Sequence, residues 1–132
     1  MDDIAINKAE IIRRCIRRID EEFRGDLSRL EDWTIQDSVI LNLLRACEAS
    51  IDLAMHQVAL GRLGIPQNSR DAFELLANHN IISHECGETM KHMVGFRNIA
   101  VHDYQRLQTE ILNSILTKQL NDFELFLRAL SV

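Results

Sequence analysis

Aromatic side chains are scarce in this 132-residue chain: one tyrosine, one tryptophan and five phenylalanines. Proteins that hold single-stranded nucleic acid by base stacking interleave aromatics with basic residues. No stretch here does so, and sequence-specific base reading has no visible basis. Turn formers are scarce as well. One proline and five glycines leave no low-complexity tract and no Pro/Gly-rich linker. Positive charge is in deficit, with 15 Lys and Arg against 20 Asp and Glu. A net charge of −5 argues against a general nucleic-acid coating protein, though not against a small, locally basic nucleotide site. No window approaches the ~18 unbroken apolar residues needed to cross a bilayer. The opening "MDDIAINKAE" is acidic and lacks the apolar core of an export signal. The three cysteines, Cys15, Cys47 and Cys86, are odd in number, far apart and set in apolar helical patterns. They read as reduced, small hydrophobes, and the expected location is cytoplasmic.

What is present is helical periodicity. With 46% apolar and 27% charged residues, the chain suits one domain over residues 1–132 that buries roughly two-thirds of its unfolded surface. Ile12, Ile16, Ile19, Phe23, Leu27 and Leu30 recur at intervals of four and three, predicting one long amphipathic helix. After "WTIQD", with Thr34 as a candidate N-cap, Ile40, Leu43, Leu44, Cys47, Ile51, Met55 and Val58 predict a second. Gly64 suits its C-terminal cap and Pro66 forbids its continuation. Ser69 is placed to cap a short third helix ending near Asn80, and Ser83 a fourth running toward residue 100. A last helix is expected over about residues 107–130, carrying Ile111, Ile115, Leu116, Leu120, Phe123, Phe126, Leu127 and Leu130. Nothing alternates with period two. The expected fold is an all-α, up-down bundle of four long helices and one short one.

One segment departs from ordinary helix composition. "GFRNIAVHDY", residues 95–104, places Arg97, His102 and the lone tyrosine, Tyr104, within eight residues. A guanidinium grips a phosphate bidentately and stabilises charge that develops on it. An imidazole titrates near neutral pH and moves the proton of a hydroxyl. On an unbroken helix Arg97 and His102 lie about 140° apart, too far round to converge. A helix that ends near Val101 would let His102 swing back. The plainer reading makes Arg97 a solvated helix residue, His102 a C-terminal cap and Tyr104 a loop tyrosine packed on the bundle.

The segment resembles the R-x4-6-H motif of the HEPN superfamily, in the R-x4-H-x-Y form characteristic of HepT-like toxins. "RACEASIDLAMHQV", "LGIPQNSRDAFELL" and "MVGFRNIAVHDY" agree with that family in order and spacing over most of the chain. The resemblance implies a HEPN-like helical homodimer with two motifs facing one cleft. It implies an endoribonuclease toxin that needs no metal or other cofactor. Arg97 would bind the scissile phosphate, His102 act as general acid or base, and Asn98 position a phosphate or the histidine. Tyr104 matches the tyrosine that an MntA-like nucleotidyltransferase antitoxin modifies with AMP.

Two other readings stay open: a nucleotide-binding or docking subunit for such a transferase, and a purely structural dimerisation bundle. Substitutions separate them. Other features weigh less. "KAEIIRRCIRR", residues 8–18, carries five positive charges against one negative. Arg13 and Arg17, and Arg14 and Arg18, form ladders suited to an RNA backbone, or a solvated face pairing with the "DEE" of residues 20–22. Arg45, Glu48, Asp52 and His56 share one face of the second helix, as a salt-bridge ladder or a wall opposite the motif. His79, His84, Cys86 and His92 lack zinc-site spacing, and no metal site is expected.

Overall fold

A computed structural model of the protein describes residues 2–102 and 109–132. Its helices begin where side chains satisfy the first free amides. Asp2 caps α1 (Asp3–Phe23), accepting from the Ala5 amide at 2.8 Å. Ala5, Ala9, Ile12, Cys15, Ile19 and Phe23 form its buried stripe. The stripe does not run on to Leu30 as one helix. Arg24 turns left-handed at φ 54°, Gly25 follows at φ 66°, and the chain re-enters as a short 3-10 turn over Leu27–Glu31. That turn still buries Leu30 but leaves Leu27 outside.

The long helix α2 (Trp33–Gly61) starts two residues earlier than Thr34 suggests. Its cap is Asp32, whose carboxylate accepts from the Thr34 and Ile35 amides. Buried residues lie on most of its circumference, among them Val39, Leu43, Ala46, Cys47, Ile51, Leu53 and Val58, because α1, α3 and α4 all pack on it. The C-terminal cap is Arg62 at φ 52°, not Gly64; the Leu63 amide returns to the Val58 carbonyl at 3.0 Å. Gly64 serves the following turn at φ 139°, a conformation that side chains rarely adopt.

Asn68, rather than Ser69, caps α3 (Ser69–Asn78), accepting from the Asp71 amide. Ser83 accepts from the Cys86 amide at 3.0 Å and opens α4 (His84–His102), as its position in the sequence suggests. The last segment is not one regular helix. It consists of α5 (Thr109–Ser114), a wider π-helical turn over Ile115–Gln119, and α6 (Asp122–Ala129).

Buried residues from all six helices join in one core. Phe73 of α3 meets Phe126 of α6 edge to face, with ring centroids 5.5 Å apart. Each such side chain, fully buried, contributes about 1.5–3 kcal/mol. The fold is an all-α bundle, and no described helix is long and apolar enough to cross a membrane. Cys15 and Cys47 are buried free thiols and Cys86 is half-buried. Burial pushes all three thiols above their usual range, so they behave as hydrophobes rather than nucleophiles.

Candidate active site

Phe96 and Ala100 face the core and fix the rotation of α4 about its axis. That rotation turns Arg97 inward, toward α2 and the start of α3. Its guanidinium donates from Nη1 to Glu48 Oε1 at 3.1 Å and from Nη2 to Ser69 Oγ at 2.9 Å. The Arg97 side chain is only 21% exposed, and its Nε is buried with no partner among the described residues. An arginine gripped at two nitrogens by two separate helices keeps one orientation. Nη1 and Nη2 each keep a second N–H that no described residue takes up, and these are the donors left for an anion.

Ser69 reaches Arg97 because Asn68 has taken the capping task, which leaves the Ser69 hydroxyl at liberty in the first turn of α3. The next residue, Arg70, also lies against α4. A Cβ at Gly95 would meet its Nη2 at 3.2 Å, so the glycine of the motif lets this second guanidinium approach.

His102 is the last described residue of α4 and is exposed. The helix therefore continues past Val101 through His102, and the histidine does not swing back toward Arg97. The two point about 140° apart around a single helix. Asn98 is half-buried beside Arg97. Tyr104 lies outside the described residues.

The charged face expected along α2 is not a ladder within that helix. Each acidic or imidazole group reaches a different neighbour. Glu48 holds Arg97, Asp52 pairs with Lys8 at 3.1 Å, and His56 contacts the Asp2 carboxylate at 2.9 Å. Arg45 is exposed, with no ion-pair partner among the described residues. The arginines of α1 diverge in the same way. Arg13 is pinned by Glu124 of α6 and by the Val132 carbonyl, while Arg18 pairs with Glu21 and Glu22. Arg17 is exposed on the α6 side of α1, bordering Asn121 and Glu124. Among the described residues no three His, Cys, Asp or Glu side chains gather as metal ligands.

Glu48 and Ser69 lie 49 and 28 positions from Arg97, so no local spacing announces them. Glu48 was visible only as part of a charged helix face, and Ser69 only as a cap. The family model described as Ribonuclease HepT-like matches residues 11–130. The chain belongs to the HepT-like ribonuclease family. It is 52% identical over 128 residues to the mRNA nuclease HepT of Shewanella oneidensis, covering 96% of each chain. Among solved structures it resembles a tri-AMPylated HEPN toxin of Shewanella oneidensis in complex with MNT antitoxin. The identity there is 51% and the TM-score 0.93, over 99% of this chain and 98% of that one. A toxin–antitoxin complex with AMP-PNP matches at 50% identity and TM-score 0.93, covering 98% of each chain. The arginine and histidine of the HepT-like toxin motif thus both lie on α4, the arginine anchored and the histidine exposed.

Proposed function

We propose that this HepT-like chain is a single-domain toxin that cuts RNA without a metal ion. In this reading it is a homodimer, held in check by an MntA-like nucleotidyltransferase antitoxin. The observation that carries the reading is the anchored Arg97 five residues before an exposed His102 on α4. Arg97 grips the scissile phosphate and steadies its negative charge; Asn98 assists beside it. His102 moves the proton. The ribose 2′-oxygen bonds to phosphorus as the bond to the 5′-oxygen breaks. The 2′-hydroxyl proton leaves to one base and the leaving oxygen gains a proton from one acid. The products are a 2′,3′-cyclic phosphate and a 5′-hydroxyl end.

Within one chain Arg97 and His102 diverge around α4, so a complete site needs groups from two copies. This geometry is the physical reason to expect the homodimer. Of the α1 arginines, Arg13 is committed to Glu124, and Arg17 remains an exposed candidate RNA contact. The test is RNA cleavage by purified protein in EDTA. Cyclic-phosphate ends are expected, and 3′-hydroxyl ends or intact RNA would refute the mechanism.

The off-switch is chemical. In the transferase site the Tyr104 phenol gives its proton to a base of the transferase, its oxygen bonds to the α-phosphorus of ATP, and the bond from that phosphorus to the departing pyrophosphate breaks. Added phosphate and purine then repel and occlude the RNA. Incubation with the cognate transferase and ATP is expected to add AMP to Tyr104 and to abolish cleavage. Tyr104→Phe is expected to resist both, as peptide mass spectrometry and the same cleavage assay would register. Modification elsewhere, or cleavage that survives full modification, would remove Tyr104 from this role.

A further inference from the structure

The face of α1 that turns away from α6 forms, with α2, an open groove of about 720 Å3. Its charged lining comprises Lys8, Arg14 and Arg18 from α1, with Arg45, Glu48 and Asp52 from α2. Most of these charges are already matched. Asp52 has Lys8, Glu48 has Arg97, and Arg18 has Glu21 and Glu22. Arg14 and Arg45 have no ion-pair partner among the described residues, and both are exposed. Two guanidinium groups from different helices thus share one groove in a chain whose net charge is −5. Both also act electrostatically on the same buried thiol, Cys15, where they oppose the upward effect of burial. Like charges brought together without a counter-ion repel each other, and a bound anion relieves the repulsion.

The groove also leads to the motif. Glu48 lines it and at the same time holds Arg97. From Lys8 to Arg18 it follows about 15 Å of α1, enough for several phosphates of a single strand. Its rim carries one exposed apolar side chain, Leu41, and no aromatic ring. Such a lining suits a charged backbone and does not read bases.

We infer that the α1–α2 groove is the track for the RNA backbone, with Arg14 and Arg45 as its phosphate contacts and Glu48, which holds Arg97, on its α2 wall. The inference rests on the ribonuclease reading above. It moves the basic contact of α1 from Arg13, which α6 occupies, to the opposite ladder.

The experiment is fluorescence anisotropy with a single-stranded 2′-O-methyl RNA, which binds but offers no 2′-hydroxyl for attack. Arg14→Ala/Arg45→Ala is expected to bind about tenfold more weakly. Its logarithmic salt dependence should be shallower by about 1.4, since each phosphate left without its arginine lowers the slope by about 0.7. On ordinary RNA the KM rises and kcat holds. Arg14→Lys/Arg45→Lys keeps most of the salt dependence, because the charges remain. Unchanged affinity and slope, in a parent that binds and cuts RNA, would overturn the groove alone. A parent that neither binds nor cuts RNA would overturn the ribonuclease reading, and the groove with it. Unchanged RNA binding with weakened binding to the purified antitoxin would assign the groove to the protein partner instead.

Discussion

His102→Ala is expected to slow RNA cleavage by about 10²–10⁴-fold while RNA affinity stays within a few-fold of the parent. The size follows from general acid–base catalysis, in which the imidazole acts only as the proton moves. The retained affinity follows from where the residue sits. His102 is exposed, and among the described residues its loss opens no cavity and strands no buried partner. Single-turnover cleavage in EDTA measures the first quantity, and anisotropy with 2′-O-methyl RNA the second. A variant that cuts RNA like the parent would remove His102 from the chemistry. Absence of cleavage in the parent, with nucleotide still bound, would favour a docking subunit for the transferase.

The bundle was legible because its core repeats with the helical period. Ile12, Ile19 and Phe23 fall on one stripe of α1, and Leu43, Cys47 and Ile51 on the interior face of α2. Boundaries were less legible, since periodicity survives a break. Leu27 and Leu30 continue the spacing of α1 across a left-handed turn at Arg24 and Gly25, and only the glycine hinted at it. In the last segment, Ile111, Ile115 and Leu116 fit a regular helix as well as one that widens at Ile115–Gln119. Capping went to the neighbour in two places: Asp32 displaces Thr34, and Asn68 displaces Ser69. The second displacement matters to the site. Once Asn68 holds the amide of Asp71, the Ser69 hydroxyl can face Arg97. The motif itself could be read as a string, whereas its support comes from residues that only the fold brings together.

That support sets the expectation for Arg97. Arg97→Ala is expected to lower cleavage by about 10²–10³-fold, the scale on which a preorganised donor to developing charge acts. Arg97→Lys is expected to lose nearly as much. A lysine has one nitrogen, and it cannot contact Glu48, Ser69 and a phosphate in the fixed geometry of a planar fork. The stability cost of either change is small, at most about 1 kcal/mol, because Glu48 is 45% exposed and water screens the charge left behind. Glu48→Ala tests the anchor separately. Freed at Nη1, Arg97 gains rotamer freedom that substrate must then remove, a cost of about 1–1.5 kcal/mol or roughly tenfold in rate. The loss should appear in kcat/KM with thermal stability nearly unchanged. Cleavage by Arg97→Lys within a few-fold of the parent would mean that any positive charge suffices there. The two-point grip by Glu48 and Ser69 would then not be what fits the arginine to its phosphate.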